Sequence, residues 1–300
     1  MSENVAASVR ARLANKARAG GRPFQELLQY YGLERFLYRL SQSEYRERFI
    51  LKGALMLRVW DAPTTRPTRD IDFLAYTPNS IESLEDIVRA ICALEVEEDG
   101  LVFDPQGVKG ERIKEDADYE GVRIKFTGLL EKAKIPMQLD IAFDDVVYPA
   151  IEDSAYPSLL SYPAPILQMY PRETVVAEKF QAMVYLGTIN SRMKDFYDIW
   201  LLSRRFDFDG ATLAEAVLRT FAHRDTKIDL DPVCFRDEFF GVSPATTQWQ
   251  AFLTKGSDVD APPTLAEVAD QLRNFLLPLV EAVGNGRRFE GRWAAPGPWK

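Results

Sequence analysis

The apolar residues of the chain follow two spacings, and the change from one to the other divides it. Residues 4–19 have helical composition, and Gly20-Gly21-Arg22-Pro23 separates them from residues 24–41. There Phe24, Leu27, Leu28, Tyr31, Leu33 and Leu37 form one stripe at helical intervals. Short runs follow. Phe49-Ile50-Leu51 leads through Lys52-Gly53 into a helix, and Ile71 and Phe73 alternate with Asp70 and Asp72. Residues 80–94 read as a helix with Asn79 or Ser80 as N-cap. Leu101–Phe103, Val108–Ile113, Gly121–Phe126 and Ile135–Phe143 read as meandering strands. Val122, Ile124 and Phe126 alternate with Arg123 and Lys125, which predicts a half-buried strand with a basic outer face. Past a connection bearing Pro149, Pro157, Pro163 and Pro165 the period is helical almost throughout, over 171–187, 192–205, 211–222, 245–254 and 264–283.

This pattern predicts an α+β fold, a mixed β-sheet lobe followed by a mainly helical C-terminal lobe. The expected divisions are N-terminal helices over 1–45, a sheet core over 46–150, a helical lobe over 151–290 and a loose tail over 291–300.

Composition narrows the chemistry. No apolar run approaches membrane-spanning length, and Met1-Ser2-Glu3-Asn4 lacks the apolar core of a signal peptide, so a cytoplasmic location is expected. Cys92 and Cys234 sit in apolar contexts and read as reduced core thiols. His223 is the single histidine, which excludes His-rich zinc sites. A net charge of −8 argues against wholesale binding to nucleic acid but leaves room for a local footprint. Arg10, Arg12, Lys16, Arg18 and Arg22 form one basic group, and Arg35, Arg39, Arg46, Arg48 and Lys52 a second. Each is read as the solvated face of a helix or, alternatively, as a docking surface.

The candidate chemistry starts at Thr68-Arg69-Asp70-Ile71-Asp72-Phe73-Leu74. In a strand, Asp70 and Asp72 project side by side from one face, and adjacent carboxylates repel unless a cation lies between them. Hard divalent ions, Mg²⁺ above all, suit such oxygen donors; a solvated acidic strand edge is the plainer alternative. Upstream, Gly53 lets the backbone turn tightly and approach a ligand. Downstream, Asp140 is the one acid of its strand.

A strand, a tight Gly turn, a D-x-D strand and a third acid on a later strand resemble the nucleotidyltransferase superfamily related to DNA polymerase β. With Arg66-Pro67-Thr68-Arg69-Asp70-Ile71-Asp72, Ala177-Glu178-Lys179-Phe180-Gln181-Ala182 and Arg192-Met193-Lys194-Asp195-Phe196-Tyr197-Asp198-Ile199 in that order, the chain is similar to the AbiEii/AbiGii toxin nucleotidyltransferases of toxin–antitoxin and phage abortive-infection systems. The resemblance implies a nucleotidyltransferase-like sheet lobe whose active site the helical lobe completes. It also implies an NTP donor, Mg²⁺ as cofactor, an RNA acceptor that would most simply be the tRNA 3′ end, and a cognate antitoxin.

Within that resemblance Asp70, Asp72 and Asp140 would hold metal, and Lys52, Gly53, Arg66 and Lys179 would bind the nucleotide. Asp70, Asp72, Lys179 and an acid at Asp195 or Asp198 would be catalytic, with Arg192 in support. The residues alone also allow Lys179 as a snorkelling surface lysine and Lys194 with Asp198 as an i,i+4 surface pair. The chain departs from the family at Gly53-Ala54-Leu55, where many members carry a hydroxyl residue after the glycines. Three rival functions follow: a transferase that modifies a protein hydroxyl, a non-catalytic nucleotide-sensing or partner-binding module, and a metal-dependent phosphohydrolase, against which the scarcity of histidine counts.

Overall fold

The computed structural model describes residues 3–62, 68–116, 119–241, 244–255 and 261–300. The chain divides into two compact units: Met1–Asp144 with Glu152–Met169, and Asp145–Ile151 with Tyr170–Lys300.

The first unit opens with α1 (Glu3–Ala19) and α2 (Phe24–Gln42), followed by β1 (Phe49–Lys52), a single 3₁₀ turn and the short α3 (Met56–Val59). Then come β2 (Asp70–Ala75), α4 (Ile81–Ala93), β3 (Leu101–Asp116), β4 (Tyr119–Leu130), β5 (Ala133–Ala142), β6 (Glu152–Ala155) and β7 (Ile166–Met169). The strands form one mixed sheet in the order β3-β4-β5-β2-β1-β7-β6. Its two parallel pairs are β2 with β5 and β1 with β7.

The alternation expected of β4 holds: Val122, Ile124 and Phe126 are buried while Lys125 is exposed. These residues join Ile71, Phe73, Leu139 and Ile141 under Leu33, Phe36, Leu37 and Leu40 of α2. Phe36 meets Phe103 edge-on and Phe126 at a tilt, with ring centroids 5.8 and 5.1 Å away. Gly32 permits this approach, because a Cβ there would lie 2.9 Å from Ile135. Ser80 caps α4 by accepting from the Ser83 N–H at 3.2 Å. Leu101–Phe103 and Val108–Ile113, expected as two strands, are parts of the single edge strand β3, with a register shift between Asp104 and Lys109 where an irregularity breaks no inner ladder.

Residues 152–169, which the proline pattern assigned to the helical lobe, supply β6 and β7 and belong to the sheet unit. A four-residue strand is too short for its periodicity to show through a proline-rich stretch.

The second basic group does not form one solvated face: Arg48 is exposed, but Arg35 and Arg39 are buried. Arg39 is buried and forks onto Asp99 at 2.7 and 3.1 Å. Arg35 is 1% exposed and donates to the Pro163 carbonyl at 2.7 Å. Arg46 pairs with Asp153. Glu34, fully buried, accepts from the Leu159 N–H at 2.7 Å. Burial pushes its carboxyl up to about 7, against the pull of that N–H and of Arg35 and Arg58.

The second unit contains α5 (Arg172–Leu186), α6 (Met193–Arg205), β8 (Phe208–Asp209), α7 (Gly210–His223), α8 (Asp237–Gly241), α9 (Ala245–Lys255), α10 (Leu265–Gly284) and β9 (Arg292–Trp293). Its core is aromatic: Phe180 of α5 lies 5.3 Å from Phe221 and 5.8 Å from Phe235, centroid to centroid. Asp209 and Thr264 cap α7 and α10. Residues 145–151 are tied in by Asp145, which accepts from Arg224 at 2.8 Å, and by Thr174, which bonds the backbone of Tyr148.

The last ten residues are not a loose tail. β9 pairs with β8, and the Trp293 indole donates to the Ser203 carbonyl at 2.6 Å. Trp299 stacks on Phe275 at 5.7 Å. Glycine and proline concealed from the sequence pattern one buried indole, Trp293, and one half-buried indole, Trp299. Cys92 and Cys234 are free and buried, and burial pushes both thiols up to about 12. Among the described residues no helix is long and apolar enough to cross a membrane.

Candidate active site

The sheet presents its second face as a polar ladder built by register. Lys52 of β1 stands opposite Asp72 of β2, Asp72 opposite Asp140 of β5, Asp140 opposite Arg123 of β4, and Arg123 opposite Glu111 of β3. Residues directly opposite one another share a face, so five strands contribute one row of charges. A second row holds Asp70, Gln138, Lys125 and Lys109. The i,i+2 spacing of Asp70 and Asp72 thus places both on this face, half-buried, while Ile71 and Phe73 enter the core.

Gly53 closes the row at Lys52. Its φ of +74° lies in the left-handed region, and a Cβ there would run into the Asp72 carboxylate. Only glycine lets the turn after β1 sit against that acid. The helix beyond is a single four-residue turn, so backbone N–H groups are few there. Arg66 lies outside the described residues.

Asp140 is 9% exposed and strongly engaged. Arg123 donates from Nε to Oδ1 at 2.8 Å and from Nη2 to Oδ2 at 2.7 Å, and Gln138 Nε2 lies 3.3 Å from each oxygen. The hydrogen bond to Asp140 outweighs desolvation and raises the Arg123 pKa, with Asp70 adding to it. The alternation of β4 pointed to a basic outer face but did not reveal that Arg123 would meet Asp140; only the β4–β5 register shows it.

The second unit holds its own cluster. Lys179 of α5 reaches Asp195 Oδ1 at 2.6 Å and Asp198 Oδ2 at 2.8 Å on α6. Both acids are buried, and the Lys179 side chain is 19% exposed. Burial alone would lower the ammonium pKa, but the two carboxylates overcome it and raise it. Asp198 Oδ1 is buried and makes no hydrogen bond among the described residues. Lys179 is therefore no snorkelling lysine. Lys194 is exposed, and Asp198 turns to Lys179 instead.

Among the described residues no three His, Cys, Asp or Glu side chains are gathered closely enough to hold a metal ion by themselves. Asp70 and Asp72 still fit a Mg²⁺ ion, which is commonly held by one or two carboxylates with phosphate oxygens and water completing its shell.

Paired strand acids thus stand beside a tight glycine turn on a mixed sheet. Residues 35–271 match the family described as nucleotidyl transferase AbiEii toxin, type IV toxin–antitoxin system. The chain belongs to that family, and so to the toxin–antitoxin nucleotidyltransferases. No curated protein sequence matches it significantly. Two Helicobacter pylori structures are similar: one described as a nucleotidyltransferase, 15% identical with a TM-score of 0.45, covering 87% of this chain and 96% of the other; and JHP933, 12% identical with a TM-score of 0.47, covering 87% and 93%. The family assignment stands on the sequence match.

Proposed function

We propose that the chain transfers a nucleoside monophosphate from an NTP to an RNA hydroxyl, with the tRNA 3′ end as acceptor, in the bacterial cytoplasm and under the control of a cognate antitoxin. The observation that carries this reading is the Lys52, Asp72, Asp140 row with Gly53 packed on Asp72, in a chain of the AbiEii family. In the reaction the acceptor oxygen bonds to the α-phosphorus, the α–β phosphoanhydride bond breaks, pyrophosphate leaves and the hydroxyl proton is lost to base. Asp70 and Asp72 would hold Mg²⁺, which would supply charge neutralisation at the triphosphate.

The rest falls to the chain's own groups. Lys52 and Gly53 border the row at the end where β1 turns. Lys179, kept protonated by Asp195 and Asp198, is a phosphate-contact candidate by the family resemblance alone. Asp195 and Asp198 orient it, and the unbonded Asp198 Oδ1 is an acceptor in reserve. Arg66 is a further candidate for nucleotide binding. Lys16 and Arg18 on α1 are exposed, and Arg10 shares its charge with Glu131 at 3.2 Å, so this helix is the candidate RNA-docking surface.

The test is purified protein with total tRNA, Mg²⁺ and each labelled NTP, beside Asp70→Ala and Asp72→Ala. Label on tRNA that both variants abolish is expected. Label on protein would move the acceptor to a protein hydroxyl, and nucleotide binding without pyrophosphate release would leave a sensor.

A further inference from the structure

Asp140 occupies the place in the row where a third metal ligand is expected, yet most of its acceptor positions are committed elsewhere. A carboxylate offers about four acceptor positions. Arg123 takes one on each oxygen at 2.8 and 2.7 Å, and the Gln138 amide lies 3.3 Å from both. The side chain of Asp140 is 12% exposed and that of Arg123 31%. The acid is therefore the buried member and the guanidinium faces outward. A guanidinium carries five N–H groups, and this pair uses two of them in a fixed fork. The remaining N–H groups stay directed away from Asp140. Lys125, one row along, is spent differently: it pairs with Glu111 at 2.6 Å, and both are more than half exposed. Arg123 is thus the cation of β4 that the fold fixes in orientation on the face carrying Asp70 and Asp72, two strands away, or roughly 10 Å.

We propose that Arg123 is a phosphate-contacting residue of the nucleotide site and that Asp140 is its positioning residue rather than a metal ligand. This rests on the nucleotidyl-transfer reading given above. Asp140 fixes the guanidinium plane, Gln138 steadies the carboxylate, and the outward N–H groups meet the polyphosphate of the NTP. Arginine suits that role because its planar fork binds carboxylate on one edge and phosphate on the other.

The full-length chain is titrated with Mn²⁺, followed by electron paramagnetic resonance. The Mn²⁺-loaded chain is then titrated with a non-hydrolysable NTP analogue, followed by calorimetry. Asp72→Asn should weaken Mn²⁺ binding by about tenfold or more. Asp140→Asn should leave Mn²⁺ affinity within about twofold and weaken the analogue about tenfold, as Arg123→Gln should, with Arg123→Lys recovering only part. The double variant should bind the analogue no more weakly than Arg123→Gln alone, because Asp140 acts through Arg123.

Loss of Mn²⁺ from Asp140→Asn as severe as that from Asp72→Asn would make Asp140 a ligand and overturn the proposal. Unchanged analogue affinity in a folded Arg123→Gln would reduce the pair to a structural clasp and overturn it equally. Should Asp140→Asn fail to fold, the two Arg123 variants decide. A wild-type chain that binds neither Mn²⁺ nor analogue would remove the nucleotidyl-transfer reading itself, a result distinguishable from the other two.

Discussion

The two charged clusters differ in how the fold holds them. In the sheet unit, acids stand in a row because cross-strand register sets them there, and Asp70 and Asp72 remain half-buried. In the helical unit, Asp195 and Asp198 are buried and balanced against one lysine. The first arrangement keeps charge accessible for a ligand. The second spends most of its charge internally, and its stability depends on every member being present. Activity and stability should therefore separate in the sheet row and travel together in the helix cluster.

The largest effect tests the first half of that contrast. Asp72→Ala should lower nucleotidyl transfer by on the order of a thousandfold while leaving the melting temperature close to wild type, measured by label transfer and calorimetry. A variant that unfolds instead would make the row structural.

Lys179→Ala tests the second half. It strands two buried carboxylates and should cost about 3–5 kcal/mol, read by urea titration, together with activity. Loss of activity at unchanged stability would show that the helix cluster, too, is held open for a ligand.

A buried acid inside the sheet unit sharpens the comparison. Glu34 has its pKa raised to about 7 by burial, whereas in the unfolded chain it titrates near the ordinary 4.5. The native state therefore holds this proton more tightly, and the associated stability is full below pH 4.5 and is lost as pH rises through 7. The loss amounts to about 3 kcal/mol. Glu34→Gln should flatten that part of the stability profile between pH 5 and 8; an unaltered slope would show that Glu34 is not its source.

Gly53→Ala should cost less stability than Lys179→Ala, about 1–3 kcal/mol for a side chain forced to positive φ. Because the new methyl would displace Asp72, activity should fall further than stability does. Equal losses would mean that Gly53 serves the turn alone.

Much of this could be read from the chain. The helical stripe of α2, the alternation of β4 and the spacing of Asp70 and Asp72 are local and each survived into the structure, α2 ending one residue later than expected and β4 extending two residues before and four beyond its expected bounds. The motif order identified the family and pointed to Lys179, Asp195 and Asp198. What remained hidden involved pairing at long range. Arg35 and Arg39 looked like a solvated basic face because nothing near them in sequence shows that Asp99 and the Pro163 carbonyl would meet them. Strands β6 and β7 were too short to announce themselves, and Trp293 and Trp299 were disguised by the glycines and prolines around them.

The sequence by itself determined the periodicities, the paired acids and the tight turn at Gly53, since these follow from side-chain spacing and backbone sterics over a few residues. The tertiary structure alone decided which charges face one another. Register sets Asp140 against Arg123, and helix packing sets Lys179 between two aspartates, because a Coulombic partner is chosen by distance in space rather than distance along the chain.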